Sequence, residues 1–240
     1  MTNKPKLNLG CGHVILPGAQ PWHHGLVDPA IYDYPHWHNV DRNAAEGVDE
    51  TVDLFTYPWP WADNSFSGAL LSHLVEHIPH GQARSAYEID GWWDKQPRDA
   101  WGDRCEFLAG LQDGWFAFFS ELWRVLEPDA VAHILCPHGH SDGALADPTH
   151  TRYVMPHTFG YLRPDERSTF SYSLGCNWEE AAPMVYRPME LFYHLMPAEG
   201  DTPEEMADKQ RRFGEALMTR VNVVYEFYTQ LRAVKDADHG

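Results

Sequence analysis

Four residues that read as a strand, Lys6 to Leu9, run directly into Gly10-Cys11-Gly12. No other feature of the chain restricts its fold as much. Two glycines around a single residue let the backbone turn left-handed just past a strand's carboxyl end, close to whatever lies there, and open α/β sheets bind their ligands at that end. The residues that follow narrow the choice. No Lys comes after Gly12, and Ile15 stands where a third glycine would be needed, so neither the GxxxxGK[ST] phosphate loop nor the GxGxxG dinucleotide fingerprint is met. Such a turn suits a ligand with no pyrophosphate to cradle.

The rest of the chain extends the same grammar. A second strand is expected to end at Val40 and Asp41, a third over Val52 to Leu54, and a buried fourth over Phe66 to Leu71. Trp115, Phe118, Phe119, Leu122, Trp123 and Leu126 recur at three and four residues, predicting a helix from Gly114 that stops at Glu127, before Pro128. Residues 130–137, AVAHILCP, read as a fifth strand. A second helix is predicted over Pro203 to Thr219 with Thr202 as its cap, and alternation from Val223 to Ala233 marks a last strand. Two stretches break the pattern. Proline-rich residues 14–39 leave the first crossover helix very short or replaced by a loop, and residues 80–112 have no sustained period and look inserted. Helix and strand in this order give an α/β fold with a doubly wound sheet, expected as a single domain over 1–240 with a substrate-covering region over about 138–220.

Composition excludes several functions. With 35 acidic against 18 basic residues the formal charge is -17, and no basic cluster offsets it, which argues against a nucleic-acid partner. Cys11, Cys105, Cys136 and Cys176 form no CxxC pair, so neither a disulfide framework nor a thiolate zinc site is suggested, and a reducing, cytoplasmic compartment fits. MTNKPK leads into a strand without the apolar core of a signal peptide, and no run approaches the length of a membrane span.

Asp41 is the first candidate binding residue. An acid at the tip of the second strand of such a sheet accepts hydrogen bonds from both hydroxyls of a ribose; a solvated turn aspartate is the other reading of the same residue. It lies further from Gly12 than the roughly 20 residues usual in the fingerprint, and the irregular 14–39 segment accounts for the excess.

KLNLGCG, NVD, DLFTYPWPWADNSFSGALLSHLVEHIP and ELWRVLEPDAVAHILCP, in that order, resemble the successive signatures of class I S-adenosylmethionine-dependent methyltransferases. The match covers roughly residues 6–79 and 114–160 and looks nearest to small bacterial and phage-type members. Ser67, Asp129 and Ala130 depart from the family's usual acid and Gly-Gly pair. The resemblance implies a Rossmann-like class I methyltransferase fold, with a seven-stranded, mostly parallel sheet, a C-terminal antiparallel strand and loop insertions. It implies S-adenosylmethionine as cofactor. Leu9, Gly10, Cys11 and Gly12 would lie against its methionine and ribose part, with Asp41 on the ribose. Asp53 and Leu54 would meet the adenine edge, Trp59 or Trp61 its face, and Ser72 and His73 would sit beneath the sulfonium. The acceptor would be a small molecule, a sugar or a peptide. A cofactor-binding protein without catalysis is the alternative from another class.

His73 to His77, HLVEH, also spells the HxxEH signature of zinc peptidases, which needs a long helix through the motif; the preceding strand-like run and Pro79 are poor context for one, and no metal ligand is assigned. The loop after the fifth strand carries His138, His140, Asp147, His150 and His157. Methyl transfer asks the protein to align a nucleophile and, where needed, to take its proton. His77 and His150 are the candidate bases, with Asp147 as orienting partner. Hydrogen bonds that tie the loop down are an equal reading of the same three residues. His133, inside a strand, reads as structural.

Overall fold

The computed structural model describes residues 4–18, 26–80, 84–85, 113–164 and 175–235. Most of the predicted 80–112 insertion, with its tryptophan-rich stretch, lies outside these residues, as does Cys105.

Strands β1 (Lys6–Leu9), β2 (Trp37–Asp41), β3 (Glu50–Thr51), β5 (Phe66–Ser72) and β7 (Leu126–Pro137) are parallel; β9 (Val224–Val234) runs antiparallel between β7 and β8 (Asn177–Pro188). The seven-stranded order is β3-β2-β1-β5-β7-β9-β8. A separate two-stranded pairing joins β4 (Thr56–Tyr57) to β6 (Arg84–Ser85). The chain builds outward from β1 to β3, then returns to lay β5 on the other side of β1, so the order reverses between β1 and β5.

One face of the sheet is covered by helix α1 (Gly114–Val125). Phe118, Phe119, Leu122 and Val125 meet Leu7, Leu9, Ala69, Leu71, Ala132, Ile134 and Phe227, all buried. The Asp113 carboxylate caps α1 by accepting from the Trp115 amide at 2.8 Å. The helix ends at Val125, two residues before the predicted stop, because Leu126 is already extended and opens β7. Asp129, where the resembled family has a glycine, takes φ +63°.

The opposite face carries Leu70, Leu135 and Tyr228, covered by Leu16, Val27, Ile31, Tyr32 and Tyr34 from the irregular segment. Its one helical turn among the described residues is Pro29–Ile31. Asn8 and Asn39, register partners in β1 and β2, hold this segment in place of a helix. Asn8 Nδ2 donates to the Val14 carbonyl at 2.7 Å and to Asn39 Oδ1 at 2.9 Å, and the Leu16 amide and carbonyl close on the Asn39 side-chain amide at 2.9 and 2.8 Å. Buried polar backbone needs such partners when no helix supplies them.

Two expectations shift. Strand three is Glu50–Thr51, so Asp53 and Leu54 lie past its end. The region expected to cover substrate, for which the sequence predicts a helix but no strand, contains β8, a full sheet strand with exposed glutamates, bulges and Pro183; an edge strand tolerates the missing donor and carries no apolar alternation to announce itself. That region also holds the short helix α2 (Asp142–Ala146) and the helix α3 (Pro203–Thr219), the latter with its predicted bounds and a Thr202–Glu205 capping box. Among the described residues, no helix is long and apolar enough to cross a membrane.

Candidate functional site

The carboxyl ends of β1, β2 and β5 meet where the strand order reverses, the place where open α/β sheets form a crevice. Gly10 and Gly12 have φ of +64° and +52°, as the sequence requires of them. A Cβ on Gly10 would come within 2.8 Å of Leu74 Cδ1, whereas one on Gly12 would meet nothing within 4 Å. The first glycine therefore serves packing and the second leaves backbone open to approach.

The Cys11 amide donates to the Val40 carbonyl at 3.0 Å, and the Gly12 amide donates to Asp41 Oδ2 at 3.0 Å. Asp41 Oδ1 accepts from the Asn43 amide at 2.9 Å. Oδ1 also accepts from Asn43 Nδ2 at 3.3 Å, so Oδ2 alone keeps a lone pair beyond these bonds, and the turn fixes the acid without exhausting it. Burial, and then the Asp41 charge, push the Cys11 thiol up to about 11, which removes it as a thiolate nucleophile near neutrality.

The adenine-side expectations fare differently. The Asp53 carboxylate closes its own turn, accepting from the Phe55 amide at 3.1 Å and Thr56 Oγ1 at 2.9 Å. The Leu54 side chain is in the core, and its carbonyl accepts from Trp59 Nε1 at 3.1 Å. Trp59 is wholly buried and cannot cover a ligand's face. Trp61 is half-buried, with its indole nitrogen donating to Glu50 Oε2 at 2.7 Å.

Past β5, His73 sits at φ +52° with its amide donating to the Leu135 carbonyl. Its ring lies 3.2 Å from Glu226 Oε2 and 3.4 Å from Glu76 Oε1. Burial would lower the imidazole's pKa, but the two carboxylates outweigh it and raise the value to about 9. The His73–His77 motif is no continuous helix: only Val75–His77 makes a 3-10 turn. That departs from the helical spacing the zinc peptidase reading requires.

Residues 147–152 clasp this turn. The Thr151 and Arg152 amides both donate to the Glu76 carbonyl, at 2.9 and 3.0 Å, and Arg152 reaches the Ile78 and Pro79 carbonyls and Asp113. The clasp brings His77 and His150 together, with ring centroids 4.9 Å apart. Asp147 Oδ2 is 3.7 Å from His150 Nε2, while its other oxygen is taken by Thr149. All three acceptor-side candidates thus converge.

The fold is α/β and Rossmann-like, a seven-stranded, mostly parallel sheet with one antiparallel strand, as the resemblance implies. No protein-family profile matches the chain, and no curated protein does. Solved structures of similar shape include an S-adenosylmethionine-dependent methyltransferase from Archaeoglobus fulgidus, 14% identical, TM-score 0.48, with 95% of this chain and 86% of that one covered. The YcgJ protein of Bacillus subtilis is 12% identical at TM-score 0.46, with 98% and 93% covered. The [4+2]-cyclase SpnF is 12% identical at TM-score 0.44, with 97% and 75% covered.

Sequence reasoning missed the Asn8–Asn39 pair and the buried Glu226, each a polar residue inside an apolar strand, which was the available signal. A further cavity of about 380 Å³ between β8, β9 and the Pro156–Leu162 turn shares no residue with this site.

Proposed function

We propose that the protein is an S-adenosylmethionine-dependent methyltransferase whose acceptor is a small molecule, a sugar or a peptide. The observation that carries this reading is the Asp41 carboxylate, held by the open Gly12 backbone at the point where strand order reverses. When bound, the cofactor supplies the methyl group as an electrophile on sulfur. The chain's own residues then have three tasks. Asp41 takes the ribose hydroxyls, at Oδ2 through its remaining lone pair and at Oδ1 in place of the long Asn43 side-chain bond, and the Gly10–Gly12 turn lets the backbone lie against the cofactor's amino-acid part. The Leu9, Ser72 and His73 positions border that space at the ends of β1 and β5. On the acceptor side, His77, His150 and Asp147 handle the proton that leaves, either by taking it at an imidazole nitrogen or through what those groups bind. The charge of -17 disfavours a phosphate backbone as acceptor.

Calorimetric titration of S-adenosylmethionine and S-adenosylhomocysteine into the wild type and Asp41→Ala tests the reading. A charge-assisted hydrogen bond is worth roughly 1.5–3 kcal/mol, so the variant should bind ten- to a hundredfold more weakly. A wild type that binds neither ligand refutes it.

A further inference from the structure

Glu76, His77 and His150 are the one group among the described residues whose ligand atoms lie close enough to share an ion, all within 4.8 Å of one another. We propose that they bind a first-row divalent transition ion such as Zn²⁺ or Mn²⁺, independently of whether the cofactor reading holds.

Three observations converge on this. The first is Glu76, whose side chain is 1% exposed and whose two carboxylate oxygens have no hydrogen bond of ordinary length. An ionised carboxylate out of water without such bonds is costly unless it is paired or coordinates a metal. Its nearest cation, His73, pairs with Oε1 at 3.4 Å, long for a charge-assisted hydrogen bond, and shares its charge with Glu226, which leaves Oε2 without a partner.

The second is the tautomer of both imidazoles. His77 Nδ1 lies 3.1 Å from the Thr149 carbonyl, and His150 Nδ1 lies 3.0 Å from the Ala144 carbonyl. A carbonyl can only accept, so each Nδ1 carries the hydrogen and each neutral ring keeps its lone pair on Nε2. Metal-binding histidines are oriented in this way, by giving the other ring hydrogen to a backbone carbonyl. A histidine whose task was to tie down the loop would need only the Nδ1 contact.

The third is convergence. His150 Nε2 is 4.0 Å from Glu76 Oε1 and 3.7 Å from Asp147 Oδ2, so two carboxylates face the nitrogen with the free lone pair. Bonds of about 2.1 Å to a shared ion put neighbouring ligand atoms about 3–3.5 Å apart, so ligand atoms that lie within 4.8 Å of one another need to close by no more than about 1.3–1.8 Å. Two imidazoles with one carboxylate suit Zn²⁺, Mn²⁺ or Fe²⁺ better than Mg²⁺ or Ca²⁺, which favour all-oxygen sites. Three protein ligands leave coordination positions for an oxygen of another molecule. The ion would also bridge the turn after β5 and the 147–152 clasp.

The test uses the untagged full chain, stripped with a chelator and dialysed. Calorimetry with Zn²⁺ and Mn²⁺ should give one site per chain, with Mg²⁺ at least tenfold weaker. Glu76→Gln and His150→Ala should each lower Zn²⁺ affinity a hundredfold or more, with unchanged circular dichroism in chelator. If either variant fails to fold, long-range ¹H–¹⁵N spectra of the wild type decide: Zn²⁺ should shift two histidine Nε2 resonances and leave their Nδ1–H tautomer intact. No stoichiometric binding by the wild type, variants that bind as tightly, or Zn²⁺ that shifts no pair of Nε2 resonances, overturns the proposal. Because none of these readouts involves S-adenosylmethionine, failure here is separate from failure of the cofactor titration.

Discussion

At the scale of single residues, the two glycines of the first turn do different work, and substitution separates them. Both have left-handed φ, which costs an L-residue about 1 kcal/mol. Gly10→Ala adds a clash with Leu74, so it should lose about 1–3 kcal/mol in urea unfolding. Gly12→Ala meets open space and should lose only the backbone share, about 1 kcal/mol. Its Cβ would instead stand beside the open backbone, so cofactor affinity should fall more in Gly12→Ala than in Gly10→Ala. Equal stability losses would contradict the division. The Gly-Cys-Gly spelling shows that the turn exists; the neighbour that Gly10 must avoid comes from β5's continuation and is invisible locally.

At the scale of elements, α1 holds the YPWPW turn through one buried cation. Arg124 forms a two-pronged pair with Glu121, with Nε–Oε1 at 2.8 Å and Nη2–Oε2 at 2.7 Å. The same guanidinium donates to the Trp59 and Trp61 carbonyls and to Asp63. The second Glu121 oxygen also accepts from the Trp59 amide at 2.8 Å. Arg124→Met should cost about 3–5 kcal/mol, because it strands a buried carboxylate. Glu121→Gln/Arg124→Met should recover part of that loss. Thermal or urea unfolding of the single and double variants reads the difference, and a single variant within 1 kcal/mol of wild type would contradict the account. Thr202→Ala, at the capping box of α3, should cost about 1 kcal/mol by the same measurement. The sequence announces that box openly. It does not announce the Glu121–Arg124 pair, which lies three residues apart on a helix face otherwise read as apolar.

For the whole molecule, buried neutral histidines set the acid limit. Burial, with a contribution from Lys6, pushes His133 down to about 4; burial and then His140 push His138 to about 4. His133 is stacked on Tyr228 and hydrogen-bonded to its hydroxyl at 2.6 Å. As pH falls below about 6.5 the unfolded chain takes up these protons while the folded chain does not, so stability declines from pH 6.5 to about 4. Each histidine contributes a slope approaching 1.4 kcal/mol per pH unit, at order-of-magnitude precision. Urea unfolding at several pH values should show this, and His133→Gln should flatten the slope between pH 6.5 and 5; an unchanged slope would exclude His133 as a source. The expectation that His133 is structural came from its place inside an apolar strand. Strand bounds for β1, the α/β order, α3 with its cap and the Gly-Cys-Gly turn were all legible in the sequence, because each depends on local spacing and on conformations that only certain residues adopt. Strand β8, the end of β3, the burial of Trp59, and the meeting of Glu76, His77 and His150 were settled by the tertiary structure. An edge strand lacks apolar alternation, burial depends on what lies opposite, and ligand atoms from two segments converge only when long-range hydrogen bonds such as those of Thr151 and Arg152 to Glu76 close the chain on itself.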